Sequence, residues 1–292
     1  MRVMVTGAAG QLGGAIVQRF GRDNEVLALT RTDLDVTRES EVARIVRAER
    51  PDAIINCTAY NDVDGAEDHP REAFDGNAFA VLALARAARD TAATLVHYGT
   101  DFVFDGLADV PYEESETARP ASVYGMSKLL GEWFAADAPA HYILRVESLF
   151  GGPRAKSSVD RIIDGISAGQ PVRVFSDRTV TPSYVNDVAD ATARLLDRRP
   201  ASGLYHCVNS GTTTWLGLAE EVARLLDRAA DLQPVEVASA PMKAKRPQYC
   251  ALDNRKLTEA GIPMPAWQNA LGRYVSARRE SASQSSGLSH QG

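Results

Sequence analysis

The first twenty residues constrain this chain more than any other stretch. Arg2-Val3-Met4-Val5-Thr6 is a short apolar run of strand character, and it passes without a linker into Gly7-Ala8-Ala9-Gly10-Gln11-Leu12-Gly13. An apolar-periodic stretch continues to about Phe20. Strand, glycine turn and helix in that order predict a tightly packed βα unit. Glycines three apart allow a tight turn, close approach of a bound group to the backbone, and close packing of helix on strand. The amides at the helix start then offer partial positive charge to a phosphate. A glycine-rich packing turn with no ligand has the same letters, so the rest of the chain must decide.

Short apolar runs at Glu25 to Thr30, Asp52 to Cys57, Thr94 to Tyr98 and His141 to Glu147 alternate with helical stretches. These lie at about Glu39 to Glu49, Arg71 to Thr91 and Ser122 to Ala135. Such alternation predicts a mostly parallel sheet with right-handed crossovers. The expected fold class is α/β: a Rossmann-type doubly wound parallel sheet with a smaller, discontinuous α/β substrate-binding lobe. The dinucleotide-binding domain is expected over 1–147 plus about 171–199, and the lobe over about 148–170 and 200–276. Further helices are expected at Val159 to Ala168, Val185 to Arg198, Thr214 to Arg228 and Trp267 to Arg279, with short strands at Val172 to Phe175 and Leu204 to Val208. Ser281 to Gly287 is polar and low in complexity, so about 280–292 reads as a disordered tail.

At 292 residues the chain can bury a large core without metal or disulfide staples. Its 32 basic and 38 acidic residues leave a net charge of −6, which argues against nucleic acid as a partner. No apolar run approaches the roughly 18 residues of a membrane span, and Met1 to Gly10 lack a secretory signal's apolar core. Cys57, Cys207 and Cys250 are odd in number and far apart, as buried thiols of a cytoplasmic protein would be. No metal site is expected.

Three places carry candidate chemistry. Tyr124 and Lys128 are four apart on a helix, hence on one face. An ammonium beside a phenol favours the phenolate, and such a phenol can exchange a proton with an alcohol or ketone oxygen. Thr100-Asp101 follows a strand's C-terminal end, where ligands meet an open α/β sheet. The hydroxyl suits a carbonyl oxygen, although a turn-capping pair reads the same way. Arg31 ends the second strand, where a basic residue accommodates the 2′-phosphate of NADPH and an acidic one favours NADH. Asp33 and Asp35 follow closely, so use of NADH also stays open.

Taken together these residues resemble the extended short-chain dehydrogenases/reductases, and within them the dTDP-4-dehydrorhamnose reductase family. The resemblance runs to about residue 276. It rests on the glycine turn, Asp33-Leu34-Asp35-Val36-Thr37, Pro51 to Asn56, Val63-Asp64-Gly65-Ala66-Glu67, His97 to Gly106, Tyr124 to Lys128, Gly203-Leu204-Tyr205-His206, Gly211 to Trp215 and Arg246-Pro247. It implies that Gly7, Gly10, Gln11, Leu12 and Gly13 meet a pyrophosphate. Arg31, Asp35 and Val36 would lie at the adenosine end, and Ala59, Tyr60 and Asn61 along the nicotinamide half. Thr100, Tyr124 and Lys128 would be catalytic, Tyr124 and Lys128 also touching the cofactor, with Lys128 holding the nicotinamide ribose. Asp101, Glu147, Trp215 and Arg246 would face a sugar-nucleotide substrate, with NADPH as cofactor.

The chain departs from the family's pattern in places. Arg145-Val146-Glu147-Ser148 stands where the family usually has Arg-Thr-Ser-Trp, Gly99 where it has Ser or Thr, and Asn61 where it has Thr. The implied activity is reduction of the C4 ketone of a nucleotide-linked 4-dehydro-6-deoxyhexose, most simply dTDP-4-dehydro-L-rhamnose. A reductase of a different 4-dehydro sugar stays open, as does a non-catalytic NADP-binding regulatory subunit of the kind known for methionine adenosyltransferase. A dehydratase is disfavoured, because Phe102 follows Asp101 where those enzymes carry Glu. Whether Glu147 binds a sugar hydroxyl or is a paired structural acid is undecided by sequence, and so is a homodimer.

Overall fold

A computed structural model describes residues 1–153 and 155–288. The chain opens β1 (Arg2–Thr6), α1 (Gln11–Phe20), β2 (Glu25–Leu29), α2 (Glu39–Glu49) and β3 (Ala53–Asn56). Two short helices follow, α3 (Gly65–Asp68) and α4 (Pro70–Phe74), then a π turn over Asp75–Phe79 and α5 (Ala80–Thr91). Next come β4 (Thr94–Thr100), α6 (Val123–Ala135) and β5 (His141–Val146). The later part contains β6 (Leu149–Phe150), α7 (Ser158–Ser167), β7 (Val172–Phe175), β8 (Thr179–Val180), β9 (Ser183–Tyr184) and α8 (Val185–Arg198). It ends with β10 (Gly203–His206), β11 (Thr213–Thr214), α9 (Trp215–Leu226), β12 (Leu232–Val235), α10 (Arg255–Glu259) and α11 (Trp267–Leu288).

The central sheet is six-stranded and wholly parallel, in the order β2-β1-β3-β4-β5-β10. β1, β3, β4 and β5 are buried on both faces, which is why they read as short apolar runs, while the edge strand β2 exposes Glu25 and Ala28. In register, Met4 lies between Leu27 and Ile54. One face packs Val3, Val5 and Ile55 under Ile16 of α1 and Val188 of α8; the other packs Met4 and Ile54 under Val42 of α2 and Leu84 of α5. Winding reverses between β1 and β3, and a crevice opens at such a point, beyond the strands' carboxyl ends. Gly7 and Cys57 stand there.

A second core joins Phe150, Ile162, Val174, Trp215, Leu218, Trp267 and Tyr274. It forms the lobe, whose strands pair only in twos: β6 with β9, β7 with β12, and β8 with β11.

The division between the two cores differs from the expected one. Val172 and Val174, expected with the sheet domain, pack in the lobe. Gly203–His206, expected in the lobe, is the sixth sheet strand, and Leu257, Ile262 and Met264 also join the sheet's core. Sequence proximity misleads here, because the chain passes between the two cores more than once. The helix expected from Arg71 to Thr91 is interrupted by the π turn. The helix α11 continues to Leu288, past the start of the expected tail at 280: once a helix is nucleated and docked, each further residue adds a hydrogen bond at little cost. Residues 289–292 lie outside the described residues. Among the described residues no helix is long and apolar enough to cross a membrane.

Candidate active site

The glycine turn meets the steric demand for a dinucleotide cradle. Gly7 has φ +68°, and a Cβ there would stand 2.7 Å from Cys57 O. A Cβ on Gly13 would stand 2.2 Å from Gly7 O, so helix and turn touch backbone to backbone. No side chain caps the start of α1 at Gly10. Its first amides are therefore available to a phosphate, and the residues present fit the group. Leu12 turns its side chain into the core, leaving only its backbone to the ligand. Gln11 points elsewhere: its amide donates to Gly151 O at 2.9 Å, tying the turn to the loop that enters the lobe.

Arg31 is exposed at the end of β2. Asp35 Oδ1 accepts from Thr37 N and Oγ1, so that carboxylate shapes the loop, while Val36 is buried in the core. Ala59 and Tyr60 are half-buried and Asn61 is exposed. Their loop is gripped by Asn77, which the sequence reading did not single out. Asn77 Oδ1 accepts from Tyr60 N at 2.8 Å, and its Nδ2 donates to Tyr60 O at 3.1 Å and Ser127 Oγ at 3.0 Å. The π turn places Asn77 there, a recurring use of such bulges.

Tyr124 and Thr100 come together beside Phe102. Ser122 caps α6, accepting from Gly125 N at 3.2 Å, and so fixes the turn that carries Tyr124. The rings of Tyr124 and Phe102 meet edge to face at 5.4 Å. Burial, then the Asp101 carboxyl, push the Tyr124 phenol up, while a hydrogen bond from Thr100 and the Arg246 guanidinium oppose them. Arg246 stacks over Phe102 at 5.7 Å and pairs with Asp64 Oδ2 at 3.1 Å. Its Nη1 is buried with no hydrogen-bond partner.

Lys128 is held by a strand carbonyl: the spacing places it on the Tyr124 face, and its Nζ donates to Tyr98 O at 2.6 Å. A long side chain buried beneath the sheet end takes the nearest strand carbonyl. Burial lowers its pKa to about 8, against the opposing pull of Glu132 and Cys57.

The Gly99 departure has a steric cause. A Cβ there would stand 2.2 Å from Glu132 Oε1 and 3.0 Å from Arg145 Cγ. Those two side chains form a buried ion pair at 2.8 Å beneath the site. Trp215 is buried in the lobe core and lines a cleft of about 700 Å³ with Phe175, Arg161, Arg173 and Arg178. Arg178 links that cleft to the Tyr124 region, lying over Phe102 at 5.5 Å.

Glu147 is buried, with Thr181 N donating to its Oε2 at 2.6 Å. Burial and the neighbouring Asp101 raise its pKa from 4.5 to about 8. Between those values the folded chain holds a proton that the unfolded chain releases, so this group's contribution to stability falls as pH rises. Urea unfolding of wild type against Glu147→Gln is expected to show that extra decline between about pH 4.5 and about pH 8. Parallel stability curves would contradict it.

A family model described as the RmlD substrate binding domain matches residues 1–280. The chain belongs to the RmlD substrate binding domain family. Similar to this RmlD-family chain is a dTDP-4-dehydrorhamnose reductase of Mycobacterium tuberculosis, 36% identical over 97% of this chain and 95% of that protein. A probable dTDP-4,6-dihydroxy-2-methyloxan-3-one 4-ketoreductase of Streptomyces antibioticus is 36% identical over 93% of each. A crystal structure of dTDP-4-dehydrorhamnose reductase from Bacillus anthracis in complex with NADP superimposes with a TM-score of 0.89 at 30% identity, covering 94% of this chain and 98% of that one.

Proposed function

We propose that this chain is an NADPH-dependent reductase that converts dTDP-4-dehydro-L-rhamnose to dTDP-L-rhamnose. The observation that carries the reading is the meeting of the Tyr124 phenol, the Thr100 hydroxyl and the Arg246 guanidinium beside Phe102, at the sheet end next to the glycine cradle. A bound nicotinamide supplies the hydride. Tyr124 donates its phenolic proton to the ketone oxygen, and its burial keeps that proton in place at neutral pH. Thr100 Oγ1 hydrogen-bonds the same oxygen. Lys128, held against Tyr98 O, keeps a positive charge at neutral pH beside the cofactor cleft and steadies α6. The free Nη1 of Arg246 suits a diphosphate oxygen. The cleft along Phe175, Arg178 and Trp215 suits the nucleotide, with aromatic surface and three guanidinium groups.

The test is NADPH absorbance with dTDP-4-dehydro-L-rhamnose. Oxidation of the cofactor with formation of dTDP-L-rhamnose is expected. NADPH binding without oxidation, across a panel of 4-dehydro sugar nucleotides, would leave a regulatory protein of the same fold instead.

Glu147 favours a second reading. It puts a buried acid where the resembled family carries Ser, and the Streptomyces antibioticus relative bears the name of a different 4-ketoreductase. Turnover of another 4-dehydro deoxysugar, faster than of the rhamnose precursor, would establish that alternative.

A further inference from the structure

The outer side of α6 inverts the usual division of a surface helix, which keeps its charges in water. Its two charged residues, Lys128 and Glu132, are each 3% exposed. What it turns outwards is apolar: Met126 and Trp133 are 46% and 65% exposed, and Leu130 and Phe134 between and beside them are half-buried. Phe79, at the end of the π turn, extends the patch. It is 52% exposed, and its ring lies 6.0 Å from that of Phe134. Large exposed apolar side chains thus stand together on two neighbouring helical elements, as they do where a protein surface is covered by a partner.

The charges along α4, the π turn and α5 identify that partner. Counted outwards from the peptide bond between Ala80 and Val81, Leu82 answers Phe79 and Arg86 answers Asp75. Further out, Arg89 answers Glu72 and Asp90 answers Arg71. All eight side chains are exposed or half-buried. Every charge from Arg71 to Asp90 therefore has its opposite the same number of residues beyond the centre. A second copy turned about a twofold axis at that centre runs antiparallel. It sets each of these charges against its opposite, with Phe79 against Leu82. Such a surface is its own complement, whereas a different partner would not call for this symmetry. The ion pairs these side chains make within the chain are exposed and weak, so they do not oppose the exchange. Glu39 meets Arg86 at 2.9 Å, His69 meets Glu72 at 3.7 Å and Asp90 meets Arg89 at 3.8 Å.

We propose that a second copy of this chain docks on this face, joining α5 and α6 of each protomer in an antiparallel, twofold-symmetric dimer. The apolar patch forms the centre of the contact and the palindromic charges set its direction, the usual division between the core and rim of an interface. The pairing stands apart from the reductase reading, but it reaches the site. The helix α6 carries Tyr124 and Lys128, and the π turn carries Asn77, which grips the Tyr60 loop. The partner therefore braces from outside the two elements that hold those side chains.

Sedimentation equilibrium of the full chain at micromolar concentration tests the pairing. The expected mass is twice the 31.5 kDa of one chain. Trp133→Glu places a charge in the patch and disturbs no buried contact, and it is expected to sediment as a monomer with the circular dichroism of the wild type. Arg89→Glu is expected to weaken the dimer by about tenfold, because twofold symmetry turns one substitution into two like-charge contacts. Adding Glu72→Arg to the same chain recreates both opposite pairs with their signs exchanged, and most of the lost affinity is expected to return. That rescue distinguishes an interface from a folding defect, since a second charge reversal would not repair a damaged fold. A wild type that stays monomeric throughout the concentration range overturns the proposal. So does a dimer that survives Trp133→Glu, or a double variant that pairs no better than Arg89→Glu alone.

Discussion

Tyr124→Phe is expected to lower kcat by a factor on the order of 10² to 10⁴, the usual worth of a positioned acid. The expected specificity of the effect matters as much as its size. Phenylalanine keeps the ring that meets Phe102 edge to face at 5.4 Å, so packing at the start of α6 should survive. The glycine cradle lies on another element, so NADPH affinity should move by less than about twofold. Burial pushes the phenol up, so its proton is retained at neutral pH. Loss of the hydroxyl should therefore remove proton donation without altering the charge of the site at neutral pH. Steady-state NADPH oxidation, paired with cofactor titration by fluorescence, measures both quantities. A variant that keeps a tenth of the wild-type kcat would remove Tyr124 from the role of donor.

Glu132→Ala is expected to cost about 3–5 kcal/mol of stability, the largest effect on folding we foresee. Glu132 and Arg145 are both almost wholly buried, and Glu132 receives bonds from Arg145 Nε at 3.0 Å and Nη2 at 2.8 Å. Arg145 also lies over the Phe104 ring at 4.9 Å, while its Nη1 has no hydrogen-bond partner. Removing the carboxylate leaves a buried guanidinium with no counter-charge. Replacing both partners with apolar side chains removes that uncompensated charge. The double variant Glu132→Leu with Arg145→Met should therefore lie closer to wild type than the single one. Urea unfolding of wild type and the two variants decides it. A single variant within 1 kcal/mol of wild type, on the order of ordinary surface substitutions, would show that water reaches the guanidinium.

The parts of the molecule legible in sequence are those where cause and effect are close along the chain. Thr6 ends a strand, Gly7 turns, and Gln11 starts a helix, so the cradle can be read from consecutive letters. Tyr124 and Lys128 share a helix face for the same reason. What the lysine bonds to was not legible, because the Tyr98 carbonyl belongs to another element. The Glu132–Arg145 pair was missed because its members sit on a helix and a strand, each an ordinary charge by itself. Thr181, Arg178 and Cys250 converge on Glu147 and Asp101 from segments with no shared motif, so nothing local marks them. Asn77 sits within a helical pattern, and apolar periodicity cannot distinguish an α turn from a π turn. The sixth sheet strand is hard to assign from sequence because the segment that follows it, β11 and α9, belongs to the lobe.

That difficulty reflects how the chain is threaded. It leaves the sheet after β5, returns for α8 and β10, leaves again for β11 and α9, returns at α10, and leaves a last time for α11. The lobe is therefore stitched through the half that holds the glycine cradle. It cannot be lifted out and exchanged as a contiguous cassette. New specificity in such an architecture has to be acquired one side chain at a time, at strand ends and connecting loops such as those that carry Glu147 and Arg178.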